Sequence, residues 1–200
     1  MAISIILASA SPRRRELMSH IVSEFEVAAA DVDETPKKDE SASNLVERLA
    51  QMKAQCIMQS LPDKVRAQNL VIGSDTVVAH PQEILGKPLD YNDFKRMMGL
   101  LSNTTHQVYT GVCVLLGSAL LSQVVVSDVT MATISEDDIE RYWATREPTD
   151  KAGGYAIQGI GGQFVKSIKG SFSAVVGLPL FETKTLIQEI QRADKSSERS

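Results

Sequence analysis

The chain has 200 residues, of which 43% are hydrophobic and 23% are charged, and its formal net charge is -4. These proportions are those of a folded globular protein, and the length suits one α/β domain, or one domain with two lobes around a cleft. The net negative charge argues against a nucleic-acid coat and against a polybasic membrane contact. No apolar run approaches the ~20 residues of a membrane span, and the charge order at the N-terminus is wrong for a secretory signal, so we expect a cytoplasmic protein.

The first half of the sequence alternates predicted strands with predicted helices. Residues 3–8 form an apolar run typical of a buried strand, and Ser11 and Pro12 then suit the N-cap and first position of a helix that ends near residue 20. The elements predicted next are a strand at 25–30, an amphipathic helix from Asn44 with Glu47 as its capping-box partner, a strand at 70–79 interrupted at 73–75, and a helix from Asp90 to 101.

The second half continues with a mixture of both element types. Two β-rich segments at 107–116 and 123–134 flank a turn, and Ser135 opens a helix through a capping box. A glycine-rich stretch at 150–162 precedes a strand at 163–168, and Pro179 begins the last long helix. We expect a single domain over residues 1–192 and a disordered tail at 193–200, which is rich in serine and charge. The mixed order of elements predicts an α/β fold.

Residues 9–15 read Ser-Ala-Ser-Pro-Arg-Arg-Arg and come directly after the first predicted strand. Free N–H groups at a helix N-terminus, serine hydroxyls and guanidinium groups together suit the binding of a triphosphate. A capped helix with a solvated basic turn explains the same residues. The segment alone therefore leaves both interpretations open.

Carboxylates stand at two places that suit a metal or catalytic site. Asp75 follows Gly73 and Ser74 inside an otherwise apolar strand, where a buried carboxylate is costly without a partner. A metal ion or a reacting water would supply that partner, whereas the simpler alternative is an Asp that caps a turn at a strand end. Asp33 and Glu34 form an acidic pair on a separate loop and are a second source of metal ligands, although solvated acidic turns are common.

Three further polar residues suit contacts to an anionic ligand or to a base. Lys53 lies at the edge of the apolar stripe of its helix, from which it can either reach a phosphate or extend to solvent. Lys87 stands in a rigid Gly-Lys-Pro loop that suits a fixed cation. Gln158 lies in the glycine-rich stretch, where the backbone can approach a ligand and the amide can both donate to and accept from a base edge.

These residues belong to short motifs that follow one another along most of the chain. The motifs are Ser-Ala-Ser-Pro-Arg-Arg at 9–14, Asp-Glu at 33–34, Ala-Gln-Met-Lys-Ala at 50–54, Gly-Ser-Asp-Thr-Val-Val at 73–78, Gly-Lys-Pro at 86–88, Thr-Gly-Val at 110–112, Asp-Lys-Ala-Gly at 150–153, Tyr-Ala-Ile-Gln-Gly at 155–159 and Val-Val-Gly-Leu-Pro at 175–179. In this order they resemble the motifs of the Maf family, which was first named for inhibition of septum formation and contains nucleoside triphosphate pyrophosphatases.

The resemblance implies a fold and an activity. The fold is Maf/ITPase-like, with a central mixed β-sheet flanked by helices and two lobes around a deep cleft. The activity is hydrolysis of a nucleoside triphosphate to the monophosphate and pyrophosphate, by water attack on the α-phosphate with Mg²⁺ or Mn²⁺ as cofactor. The intact motif at 155–159 resembles that of the dTTP/UTP pyrophosphatase branch.

The resemblance also assigns roles to individual residues. Asp75 is implied as the catalytic proton acceptor, and Asp75 and Glu34 as metal ligands, with the choice between base and ligand left open for Asp75. The residues implied in substrate binding and substrate choice are Ser9, Arg13, Arg14, Lys53, Thr76, Lys87 and Gln158. A homodimer is the implied assembly, with no nucleic-acid or membrane partner expected.

Two alternative functions stay open at this point. The first is a nucleotide-sensing regulator of cell division, which would bind a nucleotide without steady release of pyrophosphate. The second is a house-cleaning pyrophosphatase that acts on modified nucleotides and merely tolerates the ordinary ones.

Overall fold

The computed structural model describes residues 3–197, without the side chains of 195–197. Its strands are β1 (Ser4–Leu7), β2 (Glu26–Val27), β3 (Asn69–His80), β4 (Glu83–Leu85), β5 (Thr105–Leu116), β6 (Ala119–Met131) and β7 (Val165–Lys169). Its α-helices are α1 (Pro12–Ser19), α2 (Ala42–Ser60), α3 (Asp63–Arg66), α4 (Tyr91–Leu101), α5 (Glu136–Ala144), α6 (Phe172–Val176) and α7 (Leu180–Ser197). Short 3₁₀ helices occupy Glu147–Asp150, Ala152–Gly154 and Ile160–Phe164.

The strands form a mixed sheet. Within residues 3–197 the sheet has seven strands in the order β2-β1-β3-β5-β6-β7, and β4 pairs with β3 off this path. β1 is parallel to both neighbours, so that Leu7 lies opposite Val27 on one side and Ile72 on the other. β4 is antiparallel to β3, and β7 is antiparallel to β6. These pairings confirm the predicted α/β class with a mixed central sheet.

The chain divides into two compact units. The first takes the described residues up to Asp75, then Thr110–Val125, and those from Gly177 onward, whereas the second takes Thr76–Tyr109 and Val126–Val176. Each unit contains a hydrophobic cluster of its own. The cleft that the resemblance implies stays a prediction.

In the first unit, α2 packs directly against the backbone of two strands. A Cβ atom at Gly73 in β3 would lie 2.1 Å from the carbonyl oxygen of Ala50, and one at Gly111 in β5 would lie 2.3 Å from that of Val46. Neither distance is possible for real atoms, so only glycine permits this approach. The buried members of the cluster beside this contact are Ile6, Ala8, Ala50, Ala54, Ile57, Met58, Val71, Cys113 and Leu115.

In the second unit, aromatic side chains join α4 to α5. Phe94 stacks on Trp143 with ring centroids 5.0 Å apart and contacts Tyr142 with centroids 6.0 Å apart. On β5 the buried His106 lies with Nε2 at 2.8 Å from the hydroxyl of Tyr155. Burial lowers the pKa of His106 to about 4, so its ring is neutral at pH 7 and is a hydrogen-bonding partner rather than a charge.

The helix caps agree with the sequence in two places and differ in a third. Ser11 caps α1 and Ser135 caps α5 with a full capping box, which confirms both predictions. α2 begins earlier than predicted, because Ser41 is its N-cap and its hydroxyl accepts a hydrogen bond from the amide of Asn44. Glu47 is therefore not a capping residue, and its carboxylate instead accepts from the Ser122 hydroxyl at 2.7 Å.

Two segments are more regular than the sequence pattern indicates. β3 runs without interruption from Asn69 to His80, because Gly73 lies in close contact with α2 rather than in a turn. α7 continues to Ser197 and so extends into the segment predicted to be a disordered tail, since no proline or glycine follows Pro179. Residues 198–200 of that tail lie outside the described part of the chain.

None of the helices within residues 3–197 has the length and apolar character that a membrane crossing requires.

Gly73→Ala tests the direct contact between α2 and β3. The added methyl group would meet the backbone of Ala50 and Ala54, so α2 must move away from the strand, and we expect the free energy of unfolding to fall by about 3 kcal/mol. Gly99→Ala is the matched control, because in the described part of the chain a methyl group at this exposed site in α4 meets nothing within 4 Å. It should raise the free energy of unfolding by about 0.5–1 kcal/mol. Urea denaturation measures both, and equal stability of the two variants would contradict the contact.

Candidate functional site

β3 carries two buried polar residues at consecutive positions, Ser74 and Asp75. Ser74 is fully buried. Its Oγ lies 2.8 Å from the carbonyl oxygen of Gly111 and 2.9 Å from that of Gly177, so the hydroxyl can donate to either oxygen. Asp75 is only 7% exposed, which confirms that a carboxylate stands inside an apolar strand. Burial of this kind requires a partner of opposite charge or several hydrogen-bond donors.

The partner of Asp75 is Lys53 on α2. The Nζ atom of Lys53 lies 2.6 Å from Oδ1 of Asp75 and 2.6 Å from Oε1 of Glu34. The lysine is itself 7% exposed, so its ammonium group lies between two carboxylates instead of extending to solvent. Its position follows from the packing of α2, because Lys53 lies in the helical turn that contacts Gly73. This contact removes the alternative in which Lys53 is a solvated surface residue.

The acidic loop that carries Glu34 is fastened to α2 by Arg48. The guanidinium group of Arg48 donates to both carboxylate oxygens of Glu40 at 2.7 Å and to the carbonyl oxygen of Thr35 at 3.2 Å. The hydrogen bonds from Arg48 and from the Lys37 amide lower the pKa of Glu40 to about 2. These contacts hold the loop just after Glu34, at Thr35 and Glu40, and so keep the Glu34 carboxylate near Lys53.

The turn before α1 brings further polar groups to the first unit. The side chain of Ser9 is buried and accepts a hydrogen bond from the Ser11 amide at 3.2 Å. Arg14 donates through Nε to the carbonyl oxygen of Gly177 at 2.8 Å. Gly177 is therefore the common acceptor for Arg14 and Ser74, which fastens α1 and β3 to the segment before α7.

Arg14 lies in the electric field of the site's carboxylates. Burial lowers the pKa of Arg14, Asp75 raises it, Arg13 lowers it further by like-charge repulsion, and Glu34 raises it. These influences place Arg14 near Asp75 and Glu34, and Arg13 directly precedes Arg14 in α1. The group carries more positive than negative charge, which suits a polyphosphate ligand.

The second unit holds Thr76, Lys87 and Gln158. Thr76 is half-buried on β3, whereas Lys87 and Gln158 are exposed. The Gly-Lys-Pro loop is joined to the glycine-rich segment by a hydrogen bond from the Gly153 amide to the carbonyl oxygen of Gly86, at 2.9 Å. The loops that present Lys87 and Gln158 are thus parts of one packed region.

The two proposed metal ligands suit an ion whose other ligands are water and substrate phosphates. Within residues 3–197, no group of three or more His, Cys, Asp or Glu side chains could enclose a metal. Asp75 and Glu34 nevertheless converge on one cation, the ammonium of Lys53. Mg²⁺ typically takes one or two carboxylates together with water and substrate phosphates, so this pair suits a metal that arrives with a nucleotide.

Comparison with known proteins decides the family. A family model described as Maf-like protein matches residues 4–190. The chain belongs to the Maf family. Proteins named dTTP/UTP pyrophosphatase are similar to it along nearly their whole length. One from Colwellia psychrerythraea is 49% identical and covers 92% of this chain and 86% of its own, and one from Pseudoalteromonas atlantica is 48% identical and covers 94% and 98%.

Among solved structures, the Ham1 protein of Staphylococcus aureus matches with a TM-score of 0.41 and 13% identity, covering 64% of this chain and 72% of that chain.

Family membership confirms the resemblance that the motifs carry, and the structure adds residues that the sequence did not indicate. It brings together Asp75, Lys53 and Glu34 by direct contact. Their individual roles stay predictions. The supporting pair Arg48 and Glu40 was missed, because its spacing along the chain is typical of any surface ion pair.

A double-mutant cycle on Lys53 and Asp75 tests the buried ion pair. Lys53→Met should lower the free energy of unfolding by about 3 kcal/mol, because it leaves Asp75 without its closest cation. Combining it with Asp75→Asn should recover part of that loss, with a coupling energy of about 1–3 kcal/mol. Lys95→Met with Glu136→Gln is the control, since this exposed pair at 3.2 Å should couple by less than about 1 kcal/mol. Equal coupling in the two cycles would contradict a special role for the buried pair.

Proposed function

We propose that this Maf-family chain hydrolyses nucleoside triphosphates to the monophosphate and pyrophosphate, and that dTTP and UTP are its preferred substrates. The observation that carries the proposal is the buried Asp75, held by Lys53 beside Glu34 and the arginines of α1. The names of the relatives from Colwellia and Pseudoalteromonas support the same reaction and the same bases.

The proposed reaction gives a role to each charged residue of the candidate site. A water oxygen forms a new bond to the α-phosphorus, while the bond from that phosphorus to the α–β bridging oxygen breaks and pyrophosphate leaves with the bonding electrons. Asp75 orients the water and accepts its proton. Arg13, Arg14 and Lys53 stabilise the negative charge that develops on the phosphate oxygens, with Ser9 as a further donor and Lys87 as a further cation. A covalent intermediate is not required.

A divalent cation is part of this proposal. Asp75 and Glu34 would hold Mg²⁺ or Mn²⁺, which neutralises phosphate charge when bound. The ammonium of Lys53 contacts both carboxylates, and it would be available to a substrate phosphate if a metal took over as their cation.

Selection of the base is assigned to Gln158, with Thr76 and Arg13 as further residues of substrate choice. Thymine and uracil present an acceptor O4 beside an N3–H donor, and one glutamine amide can pair with both. Gln158 is exposed on its loop and therefore accessible to a ligand. The proposal includes a cytoplasmic location, where nucleoside triphosphates are available, and a homodimeric assembly.

A substrate panel tests the proposed reaction. Pyrophosphate release with Mg²⁺ and with Mn²⁺ is measured for dTTP, UTP, CTP, GTP and 7-methyl-GTP, and kcat/KM should be about ten- to a hundredfold higher for dTTP and UTP, the value of one correctly paired polar edge. Gln158→Glu should reduce this preference, since a carboxylate cannot donate to O4. A guanine nucleotide as best substrate would contradict the assigned bases, and binding without pyrophosphate release would favour a sensor.

Asp75→Asn tests the catalytic carboxylate. The change is nearly isosteric but removes the proton acceptor, so turnover should fall by at least ~100-fold. Asp128→Asn is the control, because Asp128 is also a strand carboxylate but lies in the second unit, where it accepts a hydrogen bond from Gln107. Its kcat should match the wild type. A folded Asp75→Asn variant with normal turnover at saturating metal would remove Asp75 from the mechanism.

A further inference from the structure

Glu147 has hydrogen-bonding partners that the proposed reaction does not use. Its Oε1 atom accepts from the hydroxyl of Tyr142 at 2.7 Å and from the amide of Gly161 at 3.0 Å. Its Oε2 atom accepts from the amide of Ile160 at 3.0 Å. One carboxylate thus receives three donors, two of them from consecutive backbone amides just after Gln158.

Tyr142 extends this network to the other side of Gln158. The tyrosine is 1% exposed, and its hydroxyl accepts a hydrogen bond from the amide of Ala156 at 3.1 Å while donating to Glu147. The backbone is therefore fastened at Ala156 on one side of Gln158 and at Ile160 and Gly161 on the other. The exposed Gln158 lies at the centre of a short loop with both ends fixed.

The loop backbone lies directly against these two polar side chains. A Cβ atom at Gly159 would lie 2.3 Å from Oε2 of Glu147, and one at Gly161 would lie 2.5 Å from the hydroxyl of Tyr142. Any larger residue would force the loop and these side chains apart. Glycine at these positions is thus explained by contact with Glu147 and Tyr142 within the second unit, without a ligand.

The ionisation states of Glu147 and Tyr142 suit their roles as hydrogen-bond acceptor and donor. Burial raises the pKa of Glu147, but hydrogen bonds from Gly161, Tyr142 and Ile160 outweigh it and lower the pKa below its ordinary value. Burial and the hydrogen bond to Glu147 raise the pKa of Tyr142. At pH 7 Glu147 is ionised and Tyr142 is a neutral donor. Hydrogen bonds to an ionised acceptor are stronger than those between neutral groups.

We propose that Glu147, acting with Tyr142, is a positioning residue for base selectivity: it fixes the backbone on both sides of Gln158 so that the amide is held ready for the pyrimidine edge. This inference rests on the proposed function only in taking Gln158 as the residue that reads the base. Glu147 itself does not touch the substrate. Its contribution is to reduce the motion that the loop would otherwise lose on binding.

Glu147→Gln is the test variant. A carboxamide has a single acceptor oxygen, so it cannot serve the Ile160 amide and the pair Gly161 and Tyr142 at the same time. The ratio of kcat/KM for dTTP to that for 1′,2′-dideoxyribose 5′-triphosphate, which lacks a base, should fall about tenfold, as expected for one lost hydrogen bond to a charged group. The value for the substrate without a base should be unchanged. Glu140→Gln, at an exposed glutamate of α5, is the control and should leave the ratio as it is.

A measurement without turnover tests the anchoring itself. NMR amide exchange at Ile160 should be at least ~10-fold faster in Glu147→Gln, and exchange at Ala156 should be faster in Tyr142→Phe, which removes the acceptor of that amide. Tyr142→Phe should reduce the same substrate ratio. It provides the test if Glu147→Gln does not fold.

The outcomes separate this inference from the proposed reaction. Equal losses for dTTP and for the substrate without a base would overturn the inference, because Glu147 would then only support the fold. An unchanged ratio despite faster exchange at Ile160 would overturn it as well. If the wild type binds triphosphates but releases no pyrophosphate, the proposed reaction is wrong. The preference for dTTP over the substrate without a base is then measured as a ratio of dissociation constants.

Discussion

The ammonium group of Lys53 between Glu34 and Asp75 is the interaction on which the arrangement of the first unit depends. A buried carboxylate in the middle of β3 would be strongly destabilising without a cation beside it. The lysine reaches it only because Gly73 and Gly111 let the α2 backbone lie against the strands. The loop that carries Glu34 reaches Lys53 because Arg48, on the same helix as Lys53, binds Glu40 of that loop. Helix packing and loop position thus bring the three charges of this ion pair together.

The parts of the fold that could be predicted from the sequence are those that depend on local contacts. The caps at Ser11 and Ser135 are local, since a few consecutive residues contain all the atoms involved, and both predictions were right. Gly73 was interpreted as an interruption of β3, because in a local pattern a glycine followed by serine and aspartate is typical of a turn. The reason for that glycine is its contact with Ala50 and Ala54 of α2, which lie about twenty residues away along the chain, and this contact is visible only in three dimensions.

The site shows the same division. Asp75 stood out because a charge in an apolar strand violates the strand pattern, and family motifs extended the prediction to Lys53 and Glu34. Their mutual contact could not be derived from spacing, since the edge of an amphipathic stripe suits an extended lysine equally well. Arg48, Glu40, Tyr142 and Glu147 had no signal of their own. Each acts through a partner, and the partner is defined by folding rather than by a motif.

The two units hold their proposed functional side chains by different physical means. In the first unit Asp75 and Lys53 are fixed by opposite charge, so a ligand that brings phosphates and a metal can exchange those partners for its own. In the second unit no such exchange is needed, because Gln158 is left exposed and only the backbone around it is fixed, through Glu147 and Tyr142. The triphosphate group is common to all nucleoside triphosphates, whereas the base distinguishes them. A charge site whose partners a ligand can replace suits the proposed chemistry, and a loop held by its own hydrogen bonds suits the proposed choice of substrate.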